Sequence, residues 1–146
     1  MITLILTLLT LTLTAPENHR LMIVKTEPLS DAMTWDNIKH EITKCDLKYP
    51  DIVLRQIMLE TGNLTSRICR ECNNLIGMKY PRRRETTAIG RDKSGMSVYD
   101  SWQDCIADYK LWQDYAYRDG DYMTFLNRIY ATDVYYKSKL KRLLNN

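Results

Sequence analysis

A helical pattern of apolar residues runs through the segment 51–61. The apolar positions are Ile52, Val53, Leu54, Ile57, Met58 and Leu59. This three- and four-residue spacing is typical of an amphipathic helix and differs from the alternation of a strand. Pro50 suits the first turn of a helix, and Gly62 suits the left-handed position just beyond its end. The pattern therefore predicts a helix over 51–61, with Glu60 in its last turn and on its apolar side.

Helical signals recur on both sides of this segment. Thr34 is a suitable N-cap for a first helix over 34–45. Ser101 and Asp104 form the Asp variant of a capping box at the start of a helix over 101–117. The remaining predicted helices cover 66–72, 122–130 and 134–144. The body of the protein is therefore predicted to be helical.

The composition changes between Met78 and Tyr99. Threonine, serine and β-branched residues in this stretch favour strands, and Gly90 and Gly95 favour turns, with the hairpin turn itself predicted over 91–95. We therefore expect a small β-hairpin lobe. A chain of 146 residues is long enough for one hydrophobic core and one domain. Together these features predict an α+β fold that is mainly helical.

The N-terminal segment differs from the rest of the chain. Its first 15 residues carry no charged side chain, and Leu4 to Leu13 form a short apolar stretch before Pro16. This length suits a secretory signal and is too short for a membrane-spanning helix of about 20 residues. We predict an export signal and leader over 1–29, a folded domain over 30–146, a location in the periplasm, cell wall or medium, and no stable membrane insertion after the signal is removed. A membrane tether or a disordered N-terminus is the alternative.

Four cysteines are present: Cys45, Cys69, Cys72 and Cys105. In an exported domain they are compatible with two disulfides, whose pairing the sequence does not define. Cys69 and Cys72 also have the spacing of half a zinc site or of a redox pair. Zinc is disfavoured because His19 and His40 are the only histidines, and a redox pair is disfavoured because it would follow a helix rather than a strand. We therefore expect structural cysteines, buried or bridged, with no metal and no cofactor.

Basic residues are concentrated between positions 67 and 93, although the net charge of the chain is only +3. They are Arg67, Arg70, Lys79, Arg82, Arg83, Arg84, Arg91 and Lys93. Such a cluster favours a polyanionic partner. Nucleic acid is not favoured, because the chain has no helix-turn-helix, zinc-finger or RNA-recognition signature. A polymer that carries carboxylates suits the cluster; the alternative is that Arg82 to Arg84 only solvate a hairpin.

Glu60 is the principal candidate for chemistry. Its predicted place on the apolar side of a helix disfavours the ionised carboxylate, and the negative end of the helix dipole acts in the same direction. A carboxylic acid that keeps its proton near neutral pH can serve as a general acid. The alternative interpretation is a solvated glutamate at a helix end.

Four motifs follow one another along the chain. They are Met58-Leu59-Glu60-Thr61-Gly62, Asn74-Leu75-Ile76-Gly77-Met78-Lys79, Val98-Tyr99-Asp100-Ser101-Trp102, and Tyr130-Ala131-Thr132-Asp133 followed by Tyr136 and Lys139-Leu140. In order and spacing they resemble the glucosaminidase family of peptidoglycan hydrolases, glycoside hydrolase family 73. The resemblance implies a lysozyme-like fold with its cleft between the helical body and the hairpin. It also implies an endo-β-N-acetylglucosaminidase that hydrolyses β-1,4 bonds in peptidoglycan glycan strands.

The resemblance further implies Glu60 as the general acid and Tyr130 as an orienting tyrosine. A second carboxylate in the hairpin lobe would be Glu85 or Asp92, and Glu85 is preferred because Asp92 lies in the predicted turn. Inverting and retaining mechanisms both remain open, and so does a third route in which the acetamido oxygen of the substrate is the nucleophile.

Three further residues are expected to contact the substrate. Asn74 matches the family motif and supplies an amide, while Tyr99 and Trp102 can stack on sugar rings or close the core. The alternative function is a catalytically weak cell-wall-binding module on the same scaffold.

Overall fold

The computed structural model describes residues 31–129 and 133–144. Its helices are α1 (Trp35–Lys44), α2 (Pro50–Thr61), α3 (Arg67–Cys72), α4 (Trp102–Ala116), α5 (Tyr122–Ile129) and α6 (Tyr136–Leu144), and its strands are β1 (Gly90–Arg91) and β2 (Ser97–Val98). The two strands pair antiparallel between α3 and α4. The predicted α+β class, mainly helical with a small hairpin, is confirmed. Within the described ranges none of the helices is both long enough and apolar enough to cross a membrane.

The helix starts follow their predicted caps. The hydroxyl of Thr34 accepts a hydrogen bond from the backbone N–H of Asn37 at 3.3 Å. At the start of α4, the hydroxyl of Ser101 accepts from the N–H of Asp104 at 3.2 Å, and the Asp104 carboxylate accepts from the N–H of Ser101 at 3.1 Å. These bonds satisfy backbone donors that a helix leaves without an internal partner.

Within the described residues two hydrophobic clusters form the core, and α2 contacts both of them. The first joins α1, α2, α4 and the segment after α3, and its fully buried members include Ile38, Val53, Ile57, Leu75, Ile76 and Ile106. The second joins α5, α6 and the end of α4, and its members include Tyr117, Tyr122, Phe125, Leu126, Tyr136 and Leu140. Ile52 and Leu59 of α2 pack against the second cluster. The helix that carries Glu60 is therefore fixed from two sides.

The hairpin is smaller than the composition predicts. Each strand has two residues, and an isolated bridge joins Lys79 to Met96. The predicted turn is confirmed, because the N–H of Gly95 donates to the carbonyl of Asp92 at 3.0 Å. The threonine-rich stretch before β1 does not pair as a strand. It packs on α4 instead, where the hydroxyl of Thr87 donates to the carbonyl of Asp104 at 2.6 Å.

All four cysteines are thiols in the structure. Cys69, Cys72 and Cys105 are buried, while Cys45 is half-buried. The Cys105 sulfur accepts a hydrogen bond from the N–H of Leu75 at 3.3 Å. Of the two expected forms, buried or bridged, the structure has the buried one for Cys69, Cys72 and Cys105.

The chain leaves α2 through a left-handed turn. The φ angles of Gly62, Asn63 and Leu64 are 54°, 59° and 67°. Two of these three residues have a Cβ, which makes this conformation unfavourable. The Thr61 hydroxyl offsets that cost, because it donates to the carbonyl of Ile57 at 2.6 Å and accepts from the N–H of Leu64 at 2.8 Å. This turn fixes the chain directly after Glu60.

Gly62→Ala is expected to lower the free energy of unfolding by about 1 to 2 kcal/mol, because an L-residue is strained at positive φ. The added Cβ would also lie 3.4 Å from the Thr65 hydroxyl oxygen. Gly90→Ala is the matched control, since Gly90 has no positive φ and its Cβ would meet no atom within 4 Å. Urea unfolding measures both variants. Equal midpoints for the two would contradict the role of the turn.

Candidate active site

Glu60 lies half-buried in the last turn of α2 and faces α6. Burial raises the pKa of its carboxyl above the ordinary value, and a hydrogen bond from Tyr136 and the charge of Lys139 oppose this without cancelling it. The pKa of Glu60 is therefore raised, as its place on the helix predicts. Arg55 of α2 also donates to the carbonyl of Leu143, which ties the two helices together.

A buried hydrogen-bond chain leads from the protein backbone to Glu60, and it begins at Gln113. The side-chain oxygen of Gln113 accepts from the N–H of Lys48 at 2.7 Å, and its nitrogen donates to the Lys48 carbonyl at 3.0 Å. The backbone thus fixes which end of this amide carries the hydrogens. The Gln113 nitrogen also donates to the Tyr122 hydroxyl at 2.8 Å.

The direction of the remaining bonds follows from this anchor. The Tyr109 hydroxyl donates to the side-chain oxygen of Gln56 at 2.6 Å, which uses its only proton. Tyr122 must therefore donate across the 2.8 Å contact between its hydroxyl and that of Tyr109. The nitrogen of Gln56 donates to the Tyr136 hydroxyl at 3.1 Å, and Tyr136 is in turn hydrogen-bonded to Glu60.

We refer to this chain, Gln113–Tyr122–Tyr109–Gln56–Tyr136, as the relay. Since Tyr136 accepts from Gln56, its own proton is directed to the Glu60 carboxyl. One oxygen of Glu60 is then held by a donor, and an acid proton on Glu60 must sit on the other oxygen. The relay therefore orients the Glu60 carboxyl as well as holding it.

The two candidate carboxylates of the hairpin lobe, Asp92 and Glu85, differ in their hydrogen bonding and exposure. Asp92 is a structural residue of the turn. Its carboxylate accepts hydrogen bonds from the backbone and hydroxyl of Ser94, from the N–H of Met96 and from Arg67. These bonds, of which the Ser94 hydroxyl is the strongest influence, lower the pKa of Asp92 to about 2. Glu85 is exposed and lines a hollow of about 240 Å³ between its own loop and α4.

The three residues expected to contact substrate are buried and paired within the protein. Asn74 is 2% exposed, and its amide donates to the carbonyls of Met78 and Ser97 at 2.8 and 2.9 Å. The Tyr99 hydroxyl donates to Asp108 at 2.7 Å, and the Trp102 indole donates to the carbonyl of Asp31 at 3.0 Å. In the structure these groups support the segments around the site, which for Tyr99 and Trp102 is the alternative of closing the core; contact of the three residues with substrate stays a prediction. Tyr130, the predicted orienting tyrosine, lies outside the described residues.

Arg84 has a structural partner that the sequence did not reveal. It forms a bidentate ion pair with Asp108 of α4, with nitrogen–oxygen distances of 2.6 and 2.9 Å. The two side chains are only 7% and 0% exposed. Burial alone would raise the pKa of Asp108, but hydrogen bonds from Arg84, Thr86 and Tyr99 hold it below its usual value. This ion pair fixes the loop that carries Glu85 to the helical body.

Sequence reasoning missed the polar members of this site. Gln56 sits one helical turn before Glu60 and is fully buried within an apolar helix. Asp108 and Gln113 are likewise fully buried on α4. The available signal was a polar residue at an inward position of each predicted helix, because such residues are retained only when they are hydrogen-bonded.

The fold is similar to that of a catalytic domain of known structure. The catalytic domain of the autolysin Auto from Listeria monocytogenes superposes with a TM-score of 0.52 over 84% of this chain and 87% of that domain, at 21% sequence identity. The architecture is accordingly lysozyme-like, as predicted.

The family follows from the sequence itself. The family model named Glucosaminidase, described as mannosyl-glycoprotein endo-beta-N-acetylglucosaminidase, matches residues 36–146. The chain belongs to this glucosaminidase family. The resemblance inferred from the four motifs is therefore confirmed. No curated protein sequence matches the chain.

Proposed function

We propose that this protein is an exported endo-β-N-acetylglucosaminidase that hydrolyses β-1,4 bonds in peptidoglycan, with Glu60 as general acid. The environment of Glu60 is the observation that carries the proposal. Departure of the sugar leaving group requires a carboxylic acid that still holds its proton when substrate binds. Burial raises the pKa of Glu60, which favours the protonated form that this step requires. The relay supports the same role, because it directs the acid proton to the oxygen that Tyr136 does not hold.

The reaction needs a second group besides the general acid. The two candidates are the carboxylate of Glu85 and the acetamido oxygen of the substrate. Participation by the acetamido oxygen of the substrate is one route, because it requires no second carboxylate from the protein. Glu85 remains the candidate for activating water, since its carboxylate is exposed and Asp92 is engaged in the turn.

A catalytically weak cell-wall-binding module on the same scaffold is the alternative function. Binding alone requires neither a carboxyl with a raised pKa nor a relay of fixed direction aimed at it. The relay therefore favours the enzyme.

The decisive experiment incubates the purified protein with cell-wall sacculi and identifies the new reducing-end sugar by mass spectrometry. N-acetylglucosamine at the new reducing end supports the proposal. N-acetylmuramic acid there would assign a different bond, and sacculi that bind protein without being cleaved would favour the binding module. Substrates without the N-acetyl group then separate the two routes, because only the Glu85 route permits them to react slowly.

Tyr136→Phe is expected to lower kcat about tenfold and to move the alkaline limb of the pH–rate profile to higher pH. The hydrogen bond from Tyr136 lowers the pKa of Glu60, so its loss lets Glu60 stay protonated further into the alkaline range. The rate falls because the remaining proton is no longer confined to one oxygen. Initial rates of sacculus solubilisation, measured from about pH 4 to about pH 9, provide the profile. This interval begins near the ordinary pKa of a glutamate side chain and covers the alkaline limb.

Tyr49→Phe is the matched control for this variant. Tyr49 belongs to the same aromatic region, where its ring stacks on Tyr122 at 4.6 Å, but its hydroxyl contacts that of Tyr117 at 2.9 Å and is not part of the relay. The pH profile of Tyr49→Phe should match the wild type. If both variants shift the profile alike, or neither does, the relay does not orient Glu60.

A further inference from the structure

We propose that a groove between the loop 81–84 and α4 binds the carboxylate of an acidic saccharide, so that substrate strands are held through their acidic substituents as well as through their sugars. The groove has a volume of about 450 Å³, within the size range of small-ligand sites. Its lining residues are Pro81, Arg82, Arg83, Arg84, Trp112, Tyr115 and Ala116. The inference rests on the proposed function and names the substrate class that the groove would select.

One wall of the groove is cationic. Arg82 and Arg83 are both exposed, and the ion pairs formed among the described residues include neither of them. Arg84 differs, because Asp108 occupies its guanidinium on both nitrogens. Two adjacent guanidinium groups thus remain available beside a third that is fixed. A guanidinium fork matches a carboxylate in a bidentate geometry, which makes an acidic group the fitting ligand.

The opposite wall is aromatic. Tyr115 is 58% exposed on α4, although large aromatic side chains usually bury most of their surface. The neighbouring Trp112 is fixed, with ring centres 5.0 Å from Tyr109 and 5.6 Å from Phe125. An exposed ring on a rigid support can stack against the apolar face of a sugar, whereas a simple anion would make no use of it. The two walls together therefore select a sugar that carries an acid.

The charge distribution also gives the ligand a direction. Glu85 lines the adjoining hollow together with Arg83, Arg84, Leu111 and Tyr115. A carboxylate there repels a bound anion, so the acidic substituent belongs at the Arg82 end and the sugar ring over Tyr115. In peptidoglycan the lactyl group and the stem peptide supply such carboxylates, while a chain of N-acetylglucosamine alone supplies none.

The test uses the full chain with Glu60→Gln, so that the substrate stays intact, and measures binding to purified sacculi and to a neutral chito-oligosaccharide. Adding Arg82→Gln and Arg83→Gln should weaken sacculus binding about tenfold at low salt and leave chito-oligosaccharide binding within twofold. Adding Tyr115→Ala instead should weaken both. Unchanged sacculus binding in the arginine variant overturns the proposal, as does a failure of the Glu60→Gln protein to bind sacculi at all.

The charge-matched control replaces Arg118 and Arg128 by Gln, since both are exposed and neither lines the groove. This pair should change sacculus binding less than twofold. An equal loss in the two double variants would mean that only net charge matters, and would overturn the groove. A single-stranded oligonucleotide is the third probe: if the groove pair weakens its binding more than that of sacculi, the site is a nucleic-acid site instead.

The proposed hydrolysis and the proposed groove are tested by different measurements. Release of reducing ends by the protein with Glu60 intact tests the enzyme, whatever the groove does. With the groove variants in that background, KM for sacculi should rise about tenfold while kcat stays within twofold. Hydrolysis with an unchanged KM would refute the groove alone.

Discussion

Glu60→Gln should reduce peptidoglycan hydrolysis by about 10² to 10⁴-fold while the protein remains folded. The amide has nearly the same shape and its oxygen can still accept from Tyr136, but it has no proton to transfer to the leaving sugar. Release of reducing sugars from sacculi measures the loss. The matched control is Glu71→Gln, which removes an exposed glutamate that pairs with Arg67 on α3. It should retain full activity.

The same substitution should not cost stability at neutral pH. Because burial raises the pKa of Glu60 in the folded protein, its ionised form is disfavoured there, and its contribution to stability is present at low pH and lost as the pH rises through the raised value. The neutral amide avoids this loss. The melting temperature of Glu60→Gln should therefore equal or exceed that of the wild type at pH 7, with the difference closing below about pH 4. An inactive variant that melts well below the wild type would point to misfolding instead.

Local signals predicted the helices well. Thr34 and Ser101 are the observed N-caps, and Gly62 ends α2 in the left-handed conformation. Each of these signals acts through backbone groups within a few residues, so it can be recognised without knowing the rest of the fold. The position of Glu60 in the last turn followed from the same local reasoning.

Long-range polar partners could not be predicted. Gln56 bonds to Tyr109 and Tyr136, which are 53 and 80 positions away in the chain. A helical pattern identifies an inward position but does not identify the element that it meets. The relay consists of contacts of this kind between α2, α4, α5 and α6. It can therefore be recognised only when the packing of the helices is known.

Motif matching located residues without revealing their role. Asn74 stands where the family motif has it, yet its amide closes the segment between α3 and the hairpin through Met78 and Ser97. The strand prediction failed for a related reason. Residues such as Thr87 have high strand propensity, but contact with α4 took precedence over pairing.

Asp108→Asn is expected to lower the free energy of unfolding by about 3 to 5 kcal/mol, because it leaves the buried guanidinium of Arg84 without a countercharge. The Asn side chain also cannot accept all the bonds that Arg84 and Tyr99 now donate to the carboxylate. Since the pKa of Asp108 is lowered in the folded protein, its contribution is present above its ordinary pKa and lost as the pH falls through the folded value. Urea unfolding at pH 7 and at acidic pH should therefore show a large difference that becomes smaller in acid.

Asp114→Asn is the matched control, because it makes the same chemical change on the same helix. Asp114 pairs with Lys110 at 2.7 Å, but their side chains are 50% and 25% exposed, so its loss should cost about 0.5 kcal/mol or less. Replacing Arg84 by Met and Asp108 by Leu together should destabilise less than Asp108→Asn alone, since no buried charge is then left unpaired. If instead the double variant is the less stable of the two, packing rather than charge pairing fixes the loop to α4.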